Sequence, residues 1–212
     1  MSTVSNKIIQ AAAGNNGNGV TGEFITSSHS NTTSVSLSSA PQAGDLLIAH
    51  TGGYTGGSNL FSAFTLVVSK SSSPWYSSPA YFEGSKIGYK IATGSEGTSI
   101  SVGGTDAALS VYRFSSPVTS VTSAFTTTKQ GTGSKTISTS SYDKPHIVAC
   151  TIGSYQDPNL AMTNSDYSSR VGYCDAAASL RNLDSSLTTA VITASIVSFN
   201  EACCYAVLVP NF

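Results

Sequence analysis

The feature that most constrains this chain is its punctuation. Short apolar or alternating runs recur about every dozen residues, with Gly, Pro, Ser or Asn between them. DLLIAHT (45–51), HIVACTIG (146–153) and CCYAVLV (203–209) are continuous apolar runs. TSVSLSS (33–39) and KIGYKIAT (86–93) alternate with a period of two, which turns one face to a core and the other to water. Further runs at 64–70, 98–102, 108–115, 120–128, 135–140, 169–175 and 188–198 bring the expected total to about ten to twelve strands. Composition speaks against long helices: 39 Ser and 24 Thr dominate the polar residues, 10% of the chain is charged, and Glu plus Lys number only eleven. AAASLRNL (176–183) has helical propensity but reads as a turn or connector.

So many short strands in 212 residues must close on themselves or stack. The expected fold is all-β: an antiparallel β-sandwich, jelly-roll-like, with a closed up-and-down barrel second. Leu46, Ile48, Leu66, Val68, Ile87, Tyr89, Val111, Ile147, Ala149, Val191, Val207 and Val209 sit at apolar spacing and are the expected core. Residues 1–32 are Gly-, Asn- and Ser-rich with few apolar side chains, and their burial cannot offset the entropy of ordering them. They read as an extended assembly arm anchored on neighbours by Ile8, Ile9 and Phe24. Residues 33–212 read as one sandwich domain, with no internal repeat evident.

Ten basic and eleven acidic residues give a net charge of −1, which excludes a large basic surface for nucleic acid and a polybasic membrane anchor. The apolar runs fall far short of a membrane helix, and the first residues lack a secretory h-region, so a cytoplasmic folding compartment is expected. The four Cys show no metal spacing and read as small buried hydrophobes; a disulfide from Cys150 to Cys174 or Cys203 is the lesser alternative.

GNGVTG (17–22) matches a dinucleotide string but has no helix after it, and GTGSKT (131–136) lacks the glycines of a phosphate loop. His29, His50 and His146 are isolated from one another, and no GxSxG elbow occurs. In Asp143-Lys144-Pro145-His146 the proline makes a strand entrance, with Asp in the turn. Four Glu and seven Asp are scattered through turns, and nothing selects an acid/base pair. The expectation is a non-enzyme with no cofactor and no metal. Trp75, Tyr76, Tyr81 and Phe82 crowd one proline-flanked loop, with Tyr54 just upstream. Buried, these rings plug the end of the sandwich; exposed, they stack on a glycan or anchor a partner chain.

The middle of the chain resembles small β-sandwich proteins carried on bacteriophage virions. Pro41-Gln42-Ala43-Gly44-Asp45-Leu46-Leu47-Ile48-Ala49 is similar to their P-x-x-G-D-L-L-hydrophobic-A strand. Trp75, Tyr89-Lys90-Ile91-Ala92, Glu96 and Ala108-Leu109-Ser110-Val111-Tyr112-Arg113-Phe114 follow in the same order, and the likeness spans residues 33–117. Ser-Pro-Trp stands where those proteins have Gly-Trp-Thr. The resemblance implies a virion structural protein, foremost an accessory decoration or cement protein of the head. Its partners would be the major capsid protein, or tail proteins alternatively, and its form a homo-oligomer, a trimer by preference. A virion location fits a chain without a signal peptide. The alternative it leaves open is a tail or head adhesin that binds host surface polysaccharide.

Overall fold

A continuous apolar strand needs cover on both faces. The architecture supplies it by stacking four sheets. The computed structural model describes residues 19–54, 63–71, 83–103, 106–130, 133–153, 159–171, 174–183, 187–195 and 202–212. In the first half these form β1 (Gly22–Ser30), β2 (Ser34–Ser36), β3 (Leu46–Tyr54), β4 (Thr65–Ser71), β5 (Glu83–Ile91), β6 (Ser99–Ser101) and β7 (Ala107–Phe114). The second half forms β8 (Ser120–Gln130), β9 (Gly133–Ser138), β10 (His146–Gly153), β11 (Asn159–Met162), β12 (Tyr167–Val171), β13 (Cys174–Arg181), β14 (Thr189–Ser195) and β15 (Ala202–Asn211). The chain is all-β and antiparallel, as expected, with more strands than the sequence suggested.

The first large sheet runs β1-β7-β3-β5-β4 and is covered on its outer face by the small sheet β2-β6. Val35, Ile100 and Val102 meet Leu47, Ala49, Leu109 and Val111 in that outer core. On its inner face Leu46, Ile48, Ile87 and Tyr112 meet Ile147, Ala149, Ala178, Cys204 and Leu208 of the second large sheet, β12-β13-β10-β15-β8. The far face of that sheet carries Val148, Cys150, Ile152, Tyr205 and Val207, covered by Ile137, Leu160, Ala190 and Ile192 of β11-β14-β9. Adjacent residues of β3 therefore feed different cores. So do Cys203 and Cys204 of β15, as the two-residue period requires.

The two halves share one topology, which the sequence did not reveal. Replacing β1, β7, β3, β5 and β4 by β8, β15, β10, β13 and β12 converts the first large sheet into the second, and β2-β6 becomes β9-β14. Register agrees rung by rung. Leu46 pairs with Tyr112 and Ile91, and Ile147 with Leu208 and Leu180. The edge strand of each large sheet slips at the same rung: β1 between Phe24 and Thr26, opposite Tyr112 and Val111, and β8 between Ser123 and Phe125, opposite Leu208 and Val207. Even a loop bond repeats, with Leu37 N to Thr98 O at 2.8 Å and Thr139 N to Thr188 O at 2.7 Å. The large sheets meet across a pseudo-twofold seam, with β1 against β12 and β4 against β8. Gly52 marks a close approach across the seam: a Cβ there would lie 2.8 Å from the Ile152 carbonyl oxygen and 3.0 Å from Cys174 Sγ.

Four other expectations need correction. β1 lies within the expected arm 1–32, yet it pairs with β7 along its length, and Phe24 packs edge-on to Tyr112 at 5.7 Å in the seam. Phe24 is thus a fold residue, and Ile8 and Ile9 lie outside the described residues. The AAASLR segment is β13, a strand paired on both sides, because tertiary cover on two faces overrides alanine's helical preference. Leu66 is 51% exposed: a bulge between Leu66 and Val68 breaks the alternation, so Val67 and Val68 both turn inward and Leu66 outward. Val191 is half-buried, because its neighbours Ala190 and Ile192 take the inner face of β14.

Candidate functional site

Polar side chains gather in three interior places. The first is the seam. His50 of β3 is fully buried between the large sheets, and neither ring nitrogen has a hydrogen-bond partner; its ring lies 6.4 Å from that of Tyr167. Burial drives its pKa down to about 3, against a smaller opposing pull from the Cys150 backbone, so the imidazole is neutral. Nearby, Ser85 Oγ lies 3.1 Å from Cys204 Sγ and Thr151 Oγ1 lies 3.5 Å from Cys174 Sγ. Burial pushes the Cys174 and Cys204 thiols up to about 12 and raises that of Cys150. All four cysteines are free and buried. Thiols so protonated are poor nucleophiles and poor metal ligands.

A second cluster stands at the corner of the first half, where β3 begins. Gly44 holds φ at +86°, and a Cβ there would meet Pro117 at 2.7 Å, so the turn into β3 requires glycine. That turn delivers Asp45, 2% exposed, whose carboxylate accepts from Gln42 N at 2.7 Å and from Arg113 Nε and Nη2 at 2.8 and 2.7 Å. The fork geometry and the buried carboxylate raise the Arg113 pKa. Beyond β5, Glu96 accepts from Thr93 N, Thr93 Oγ1 and Gly94 N and pairs with Lys90 Nζ at 3.2 Å. Burial opposes its ionisation, but these donors prevail and hold its pKa at about 2. Both acids clamp turns.

At the corresponding corner of the second half the chemistry is reversed. His146 opens β10 directly opposite Arg181 at the end of β13, and they are 4% and 2% exposed. His146 Nδ1 lies 3.0 Å from the Lys144 carbonyl oxygen, and its ring is 4.8 Å from that of Tyr142. Arg181 Nη2 donates to the Thr163 carbonyl at 3.2 Å.

The outermost surfaces are the two cover sheets. β2 and β6 turn Ser34, Ser36, Ser99 and Ser101 outward. β9 and β14 turn out Ser134, Thr136, Ser138, Thr189 and Thr193 around Val191. These residues carry no charge.

Of the aromatic residues expected at a glycan or partner site, Trp75, Tyr76, Tyr81 and Phe82 lie outside the described residues. Tyr54 ends β3, and its backbone pairs with Glu83. His29 is exposed on β1, apart from the other two histidines. Among the described residues no group of three His, Cys, Asp or Glu side chains is placed to hold a metal ion. Buried Asp175 belongs to structure as well, its Oδ2 accepting the Leu160 amide at 3.0 Å. The seam histidine, the corner pairs and β13 were not legible as sites, since their partners come from strands far apart in sequence. Comparison of the chain with protein-family models, curated proteins and solved structures returns no match.

Proposed function

We propose that this chain is a structural protein of a bacteriophage virion, an accessory decoration or cement protein that binds the major capsid protein and braces the head. The observation that carries the reading is the pair of charge-free hydroxyl faces on opposite outer layers of the stack. Such faces suit close packing in a lattice, because no charge need be desolvated and each hydroxyl both donates and accepts. The ion pairs Asp45–Arg113 and Lys90–Glu96 support it from inside, since they fasten turns of the scaffold. The residues that resemble virion proteins make β3, β5 and β7, adjacent strands at the centre of the first large sheet. The likeness therefore belongs to the scaffold. Residues 1–18 of the expected arm lie outside the described residues.

Mass spectrometry and imaging of purified particles test the reading. The chain is expected at fixed stoichiometry on heads, and particles made without it should lose DNA at lower temperature. Absence from particles, or location on tail fibres with glycan binding that vanishes in Trp75→Ala, would overturn it in favour of an adhesin.

A further inference from the structure

The corner of the second half holds two buried basic side chains and leaves one nitrogen of each unused. Arg181 is the largest fully buried side chain among the described residues, and its Nε has no partner; nor does His146 Nε2. They occupy directly paired positions on β10 and β13 and share the face turned toward β11-β14-β9, where Val148, Cys150 and Ala177 continue the row. A guanidinium cannot shed its charge at any ordinary pH, so burial without a counter-charge is costly. Asp166 acts on Arg181 only at a distance. Its Oδ2 accepts from the Leu180 amide, and it makes no ion pair with Arg181 among the described residues.

The first half shows what this corner lacks. Asp45 is the counterpart of His146, Ala92 of Arg181 and Val209 of Arg113, by the shared register. In the first half the partly exposed Arg113 guanidinium and the buried Asp45 carboxylate meet as a fork. The second half has Val209 at the arginine's position and histidine at the acid's, and carries its buried arginine on β13 instead.

We propose that Arg181 and His146 bind a small monovalent inorganic anion, of chloride's size and charge, between the second large sheet and its cover sheet. The anion supplies the negative charge that the Asp45 carboxylate supplies in the first half. Arg181 Nε donates to it at any pH. His146 Nδ1 is engaged with the Lys144 carbonyl, so Nε2 can donate only from the protonated ring. Binding therefore takes up a proton and strengthens as pH falls. The groups facing His146 are Arg181 from β13, on which Asp166 acts, and Tyr142 from the preceding turn; Lys144 directs its ammonium to Asn211 instead. Burial and Arg181 hold the empty site's imidazole neutral, and the anion reverses that balance. This inference does not depend on the virion reading.

The test uses the full chain. Crystals soaked in bromide at pH 5 should show an anomalous peak within hydrogen-bond distance of Arg181 Nε and His146 Nε2. In solution at constant ionic strength, replacing methanesulfonate by chloride should raise Tm saturably, with affinity gaining up to about tenfold per pH unit while His146 takes up its proton. Arg181→Met should abolish the chloride response, and His146→Phe should keep a weaker response that no longer varies with pH. A water molecule or empty density in the bromide map would overturn the proposal even if Arg181→Met fails to fold. So would a chloride response unchanged in that variant.

Discussion

The two halves of the molecule follow one strand order with opposite choices of side chain. At the seam the first half is large where the second is small: His50 corresponds to Thr151, Ile87 to Ala176 and Tyr89 to Ala178. Yet Ile87, Ala178 and the half-buried Tyr89 belong to one core. What repeats is the hydrogen-bond ladder; what varies is how volume is divided across the seam. Close packing constrains the total volume at each level more tightly than the identity of either contributor.

The comparison breaks most visibly at its strongest rung. Leu46→Ala and Ile147→Ala remove equivalent buried side chains and should each cost about 2–5 kcal/mol. In urea both variants should still unfold in a single transition, because they share one core. Two separated transitions would show the halves to be independent domains. The next effect is confined to His50, whose second-half counterpart Thr151 does not titrate. Its folded pKa of about 3 lies below the ordinary 6.5, so the unfolded chain binds more protons throughout that interval. Stability from this group is complete above pH 6.5 and falls by ~1.4 kcal/mol per pH unit on acidification toward pH 3. His50→Leu should flatten that part of the stability profile; a profile unchanged by the substitution would mean that His50 is already charged in the folded state. Ala178→Leu tests the division of volume: it should cost roughly 1–3 kcal/mol by overpacking, and that cost should shrink when Tyr112 of β7, which shares the seam core with β13, is cut back to Ala. A strictly additive double variant would show that the two sites do not share space. The smallest effect belongs to Leu66→Ser, expected within ~0.5 kcal/mol by denaturant titration because the β4 bulge already exposes that side chain.

Legibility followed cover. β3, β10 and β15 are buried on both faces, and continuous apolar runs announce that condition. β1 hides in polar sequence because only part of it faces a core, and its bulge spoils the alternation. β13 is Ala-rich because the seam needs small residues opposite the Phe24 and Tyr112 rings, and three successive alanines imitate a helix. The repeat is invisible to residue matching, since Leu46-Leu47-Ile48-Ala49 and Ile147-Val148-Ala149-Cys150 agree in burial but hardly in identity. The corner sites escaped for a related reason. Asp45 and Arg113 are brought together by the pairing of β3 with β7, and His146 and Arg181 by that of β10 with β13.

The neighbouring thiols of β15 belong to different compartments. Cys203 faces the outer core of the second half and Cys204 the seam, so no single local opening must uncover both. Their alkylation rates under native conditions are therefore two clocks on one strand. The Cys204 clock runs when the halves part, and the Cys203 clock when β11-β14-β9 lifts away. Equal rates would mean that both are reached only through global unfolding. Unequal rates would order the two seams by strength, without adding a probe to the molecule.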